Sequence, residues 1–216
     1  MPTPSQMQSY LRYPLTGLFG SAGNVRVLRA LAADRAPQPA PRLAEAAGLT
    51  PQGTRGVLDA LVRRRMVNAH GSGRTQLYEM NTAHPLASSL ASLVQDEQRR
   101  WDGLINSIRE VLERQGPAVS AAWLYGSVAR SEDAPFSDLD IALVVRFHAV
   151  ADQVREALMP LEDAQQIRIS LTALTAKELA ALSKDDPWWV NVVRDGRVLT
   201  GAAPAQAQRR LTGVAE

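Results

Sequence analysis

The stretch LYGSVARSEDAPFSDLDIALVV, Leu124 to Val145, restricts the fold of this chain more than any other. Two short apolar runs, Ala118–Tyr125 and Leu139–Val145, read as buried strands. Between them lie a Gly-Ser step, the start of a helix, a polar loop and an Asp-x-Asp. A Gly-Ser step at a helix N-terminus offers free backbone N–H groups and a hydroxyl to a phosphate, and the glycine lets the phosphate come close. Residues two apart on an extended segment point the same way. Asp138 and Asp140 therefore present two carboxylates on one side, a pair that can hold Mg2+ against a triphosphate. The pattern suits nucleotidyl transfer, in which an oxygen attacks the α-phosphorus in line while a metal neutralises the developing charge.

The chain around this stretch divides into five parts. Residues 1–23 are polar, with Pro and Gly, and read as a loose arm. From Asn24, a cap candidate, apolar residues at helical spacing predict a helix to Ala33. The prolines of RAPQPAP break that pattern. A short helix is expected over 42–47, stopped by Gly48. A third starts at Pro51, with Thr50 as its cap, and runs to about Arg65. Two strands, 66–69 and 75–80, are joined by HGSGR. Residues 83–116 form a connecting helical region, with a break near Asp96–Arg100. Its apolar stripe packs on both domains or pairs with a second copy, the plainer alternative being an intramolecular core helix. Residues 117–201 complete the second domain with a helix over 151–158, a strand over 167–174, a helix over 177–182, the apolar run 188–193 and a short strand in RDGRVL. Trp188 and Trp189 read as core or lid packing. Residues 202–216 read as a loose tail.

Charge separates the two halves. Residues 1–82 carry 10 Lys+Arg and 4 Asp+Glu, a net of +6, while residues 83–216 carry 14 and 18, a net of −4. Beyond compositional scatter, this asymmetry points to a nucleic-acid partner for the first part. The chain has no cysteine, which excludes disulfide scaffolds, thiolate zinc sites and cysteine nucleophiles. No run approaches the ~18 apolar residues of a membrane span, and the N-terminal residues lack the apolar core of a secretory signal. A soluble cytoplasmic protein without a membrane partner is expected.

Three helices followed by a hairpin is the order of a winged helix-turn-helix, and PRLAEAAGLTPQGTRGVLDALVRRRMVNAHGSGRTQLYEMN resembles that module in MarR- and ArsR-like regulators. The resemblance covers residues 24–82. It implies that the third helix reads the DNA major groove. Physically, Gln52, Thr54 and Arg55 near that helix's start suit base edges. Arg63, Arg64, Arg65 and the wing residue Arg74 suit phosphates. Alternatively, these arginines form the solvated face of a protein-interaction module.

The pattern G-S-x-A-R…S-D-x-D resembles the minimal nucleotidyltransferases of the DNA polymerase β-like superfamily. Gly126, Ser127, Ala129, Arg130, Ser137, Asp138 and Asp140 carry the match. The resemblance implies a nucleoside triphosphate on Gly126, Ser127 and Arg130, and Mg2+ on Asp138 and Asp140 as the catalytic pair. Active members of that superfamily place a third carboxylate on a later strand, where it activates the attacking hydroxyl. Here that place falls on Ser170, with Arg168 and Thr172 on its face and Glu162 and Asp163 at the strand's wrong end. Turnover is thereby placed in doubt.

The expected fold is α+β: an N-terminal winged helix-turn-helix, a connecting helix and a C-terminal nucleotidyltransferase-fold mixed α/β domain. The leading functional expectation is a homodimeric regulator that binds double-stranded DNA and carries a nucleotide- and Mg2+-binding domain of weak or no catalytic activity. The alternative is an active, antitoxin-type transferase that moves a nucleotide to a protein or RNA hydroxyl, with a toxin-type protein partner and autoregulation through its DNA-binding domain. An antibiotic nucleotidyltransferase ranks last, since such an enzyme needs no winged helix.

Overall fold

The computed structural model describes residues 21–212. Residues 1–20 of the expected arm and 213–216 of the expected tail lie outside the described residues. The chain divides into two compact units that part between Arg100 and Trp101.

The first unit contains α1 (Ala22–Ala33), β1 (Gln38–Pro39), α2 (Ala40–Ala47), α3 (Pro51–Arg63), β2 (Val67–His70) and β3 (Leu77–Met80). Its three strands form an antiparallel sheet in the order β1-β3-β2. The helix begins before the expected Asn cap, because the Ser21 hydroxyl accepts the Asn24 N–H and closes the first turn. Thr50 caps α3 as expected, its hydroxyl accepting from Gly53 N at 3.1 Å, with Pro51 at the first helical position. The strand β1 was not legible in the proline-rich RAPQPAP. It forms there because an edge strand tolerates Pro39. Val27, Leu31, Leu43, Leu58, Leu61 and Tyr78 fill the core.

The helix α4 (Ala87–Arg114) is unbroken, contrary to the expected interruption near Asp96–Arg100. Its physical reason lies in Glu97. Arg29 on α1 donates from Nε to Glu97 Oε2 at 2.8 Å and from Nη2 to Oε1 at 3.0 Å. Both side chains are almost fully buried, at 4% and 2% exposure. The polar run that reads as a break thus contains the residue that fastens this part of α4 to α1.

The second unit adds β4 (Val119–Tyr125), α5 (Gly126–Arg130), β5 (Leu139–Val145), α6 (His148–Gln165), β6 (Ile169–Thr175), α7 (Ala176–Ala181), α8 (Pro187–Asp195), β7 (Arg197–Thr200) and α9 (Pro204–Thr212). Its sheet has the order β6-β5-β4-β7, with β5 and β6 parallel and the other neighbours antiparallel. Helix α6 packs on β5 and β6. The opposite face carries Ala121, Trp123, Ala142 and Val144, which pack with Leu179 of α7 and with Trp189 and Val192 of α8. Helix α6 extends past the expected 151–158 because Pro160 removes one donor without ending it, and Gln166 closes the helix in the left-handed region at φ 52°.

The expected loose tail is instead α9 over most of its length. Gln208 explains the difference. Its amide donates to Leu179 O and Leu182 O, and its oxygen accepts from Trp189 Nε1 at 2.9 Å. No described helix is long and apolar enough to cross a membrane.

Removing one partner of a buried ion pair strands the other charge, so Glu97→Ala should lower the unfolding free energy of the chain by about 3–5 kcal/mol. Urea denaturation followed by circular dichroism measures this directly.

Candidate nucleotide site

Register builds the site. The antiparallel pairing of β4 and β5 sets Tyr125 opposite Asp140, and the parallel pairing of β5 and β6 sets Asp140 beside Ser170. Tyr125, Asp140 and Ser170 thus form one row across three strands, and side chains in such a row share a face. This is the face covered further along by α7 and α8.

Directly after Tyr125 the chain turns into α5. Gly126 has φ +77°, in the left-handed region that favours glycine. A Cβ at this position would stand 2.3 Å from Asp140 Oδ2. The Asp140 carboxylate therefore rests against the bare Cα of the Gly-Ser step, and the two halves of the sequence motif touch. Asp138 is exposed, whereas Asp140 is half-buried. Burial raises the Asp140 carboxyl above the ordinary range, the Asp138 charge raises it further, and Arg130 opposes both.

Two hard oxygen donors that repel one another, beside a glycine cradle, fit a divalent cation in their chemistry. Among the described residues, no group of three or more His, Cys, Asp or Glu side chains could hold a metal ion. A cation on Asp138 and Asp140 would take its other ligands from phosphate oxygens and water, the habit of Mg2+.

Arg130 sits at the end of α5. It donates from Nε to Glu132 Oε2 at 2.7 Å and from Nη1 to Asp195 Oδ2 at 3.1 Å. Arg194 binds the same Asp195, with Nε 2.8 Å from Oδ1. Hydrogen bonds from Arg194 foremost, and from Arg130, hold the Asp195 carboxyl below its usual range against the effect of burial. The guanidinium of Arg130 thus ties α5 to the end of α8.

Neighbouring positions departed from expectation. Glu162 stands at the same end of the sheet as the aspartates, not the opposite one, because β6 runs parallel to β5. Its Oε1 accepts from Ile169 N, and Leu139 N donates to Arg168 O alongside. It arrives on α6, however, from the face opposite Asp140. Sequence reading also missed an aromatic wall on the Asp140 face. The Tyr125 hydroxyl lies 3.1 Å from Thr172 Oγ1, and the Trp188 ring meets Tyr125 edge-on at 5.7 Å. The period of two that put Thr172 on the Ser170 face was the available signal.

In the first unit, Gln52, Arg55, Arg63, Arg64 and Arg65 are exposed. Thr54 is not. It is fully buried, and its hydroxyl donates to Thr50 O at 3.0 Å, so it is withdrawn from the candidate base contacts. Arg74 lies in the turn Gly73–Thr75, and its side chain is outside the described residues.

The sheet, the glycine turn and the paired aspartates define a nucleotidyltransferase-like domain, and residues 106–199 match the family model "Polymerase beta, Nucleotidyltransferase". Three solved structures show a distant likeness. A toxin–antitoxin with AMP-PNP is 21% identical, with 50% of this chain and 84% of that chain covered and a TM-score of 0.38. The toxin–antitoxin MntA–HepT is 21% identical over 52% of this chain and 80% of that one, with a TM-score of 0.34. A tri-AMPylated Shewanella oneidensis HEPN toxin in complex with MNT antitoxin is 20% identical, over 52% and 83%, with a TM-score of 0.35. No curated protein matches the chain.

Gly126→Ala should lower stability by about 1–2 kcal/mol through the left-handed backbone alone, and by more through the collision with Asp140. In an Asp140→Ala background the second part should vanish. A double-mutant cycle by urea denaturation measures the difference.

Proposed function

We propose that the second unit binds a nucleoside triphosphate with Mg2+ and that the first unit, a winged helix-turn-helix, binds duplex DNA, so that the chain is a regulator with a nucleotide-responsive domain. The observation that carries the nucleotide part is the seating of the Asp140 carboxylate against the bare Cα of Gly126, which brings the Gly-Ser turn and the aspartate pair to one point. Gly126 and Ser127 would receive the phosphates through backbone N–H groups and the Ser127 hydroxyl. Asp138 and Asp140 would hold the cation, which supplies charge neutralisation at the phosphates. Transfer is slow on this reading, because Ser170 stands beside Asp140 where a carboxylate would accept a proton.

The DNA part is supported by the exposed Gln52 and Arg55 at the start of α3 and by Arg63, Arg64 and Arg65 at its end, on a half of the chain with net charge +6. A homodimer follows from the need for two half-sites. Its candidate surface is the exposed Leu86, just before α4, and Leu93 in the second turn of that helix. Ile105, Ile108 and Val111, further along the expected stripe, are buried within the chain and withdrawn from it.

A second reading, nucleotide transfer to a protein or RNA hydroxyl with a toxin-type partner, is favoured by the reach of the family match. That match includes the Gly-Ser turn and both aspartates. Incubation with labelled ATP, GTP, CTP or UTP and Mg2+, with and without cell lysate, separates the two. Label moved at enzymatic rates to another molecule overturns the weak-transfer reading.

Asp138→Asn combined with Asp140→Asn should abolish Mg2+-dependent nucleotide binding in calorimetry and leave DNA retention unchanged. Arg55→Ala should relax base preference at one position and cost ~1–3 kcal/mol in a binding titration, whereas Arg63→Ala should weaken all sequences alike and flatten the salt dependence. Sedimentation should show a species of twice the monomer mass at micromolar concentration.

A further inference from the structure

The row Tyr125–Asp140–Ser170 has a direction. The Gly126–Ser127 turn follows β4 on one side of Asp140, and Ser170 lies on β6 on the other side. Adjacent strands are ~4.8 Å apart. In-line displacement at phosphorus needs the entering and leaving oxygens on opposite sides. With the α-phosphorus at Asp140 and the remaining phosphates on Gly126–Ser127, a leaving pyrophosphate departs towards β4. The entering oxygen then comes from β6.

Three hydroxyls of β6 are candidates for that oxygen. Thr172 is engaged with Tyr125, and Thr175 donates to Glu178 Oε2 while capping α7. Ser170 is half-buried, and its hydroxyl has no hydrogen-bond partner among the described residues. Resting on the nucleotide reading above, we propose that Ser170 is an acceptor, so that the chain transfers a nucleoside monophosphate onto its own Ser170. Ser170 Oγ attacks the α-phosphorus and its proton passes to water. The new Oγ–P bond forms as the bond from the α-phosphorus to the bridging oxygen breaks, and pyrophosphate leaves. A residue held beside the reacting phosphate needs no external acceptor and gains the effective concentration of an intramolecular group. The product fills the site, so the reaction stops at one event per chain.

The full chain is incubated with Mg2+ and each of the four nucleoside triphosphates and then digested with trypsin. Cleavage after Arg168 and Lys177 releases Ile169–Lys177, and fragmentation distinguishes Ser170 from Thr172 and Thr175. The expected result is one nucleoside monophosphate on Ser170, absent from Ser170→Ala and from the Asp138→Asn, Asp140→Asn chain. Calorimetry gives an independent readout. After the same incubation the wild-type chain should bind triphosphate at least about tenfold more weakly, while Ser170→Ala keeps its initial affinity, which also reports that it is folded. A wild-type chain that binds triphosphate but leaves Ile169–Lys177 unmodified, or carries the adduct on a threonine, overturns the inference and leaves the nucleotide reading standing. A wild-type chain that binds no triphosphate overturns both.

Discussion

A half-buried carboxylate at the start of a central strand needs surroundings that tolerate its charge, and Asp140 is placed to have them. The strand β5 is otherwise buried along its length, flanked by β4 and β6. At this one position the neighbour is a glycine with no Cβ, and the adjoining carboxylate is exposed to solvent. The strain is electrostatic: burial and Asp138 both favour a protonated Asp140. A divalent cation reverses that preference, because its charge outweighs the repulsion between the two carboxylates. The glycine turn, the register of β4 and β5 and the exposure of Asp138 together bring two carboxylates and a bare Cα to one point.

The network around α5 has the opposite character. Ion pairs link Arg130 to Glu132 and Asp195, and Asp195 to Arg194, so these charges brace the short helix that presents Gly126 and Ser127. The buried Arg29–Glu97 pair in the first unit does a similar task for α1 and α4. Burying such a pair costs desolvation energy that its two hydrogen bonds must offset, so its value lies in fixing which helix faces meet as much as in stability.

Much of the site was legible from spacing. Gly126 and Ser127 could be placed on a turn, and Asp138 and Asp140 at the start of a strand, because the apolar runs on either side are short and buried. Ser170 was placed by the family resemblance, and a strand's period of two put Thr172 on its face. Thr54 was misplaced because the side-chain direction of a helix's first turn depends on which face the core takes. Its hydroxyl turns back to Thr50 O, a local bond that competes with outward display.

The amino-acid order by itself determined the element types wherever an apolar period and a cap agreed, the basic front and acidic back, and the motif that joins a glycine turn to paired aspartates. Only the tertiary structure decided what depends on distant partners. Glu97 sits in a polar run that reads as a break until Arg29, 68 positions away, reaches it. Residues 204–212 read as a tail until Gln208 finds two carbonyls and the Trp189 ring nitrogen. Glu162 is brought to the aspartates' end of the sheet, yet on the other face, by the parallel pairing of β6. For Glu97 and Gln208 local residues supply a polar group, and the long-range fold supplies the partner that makes burying it favourable.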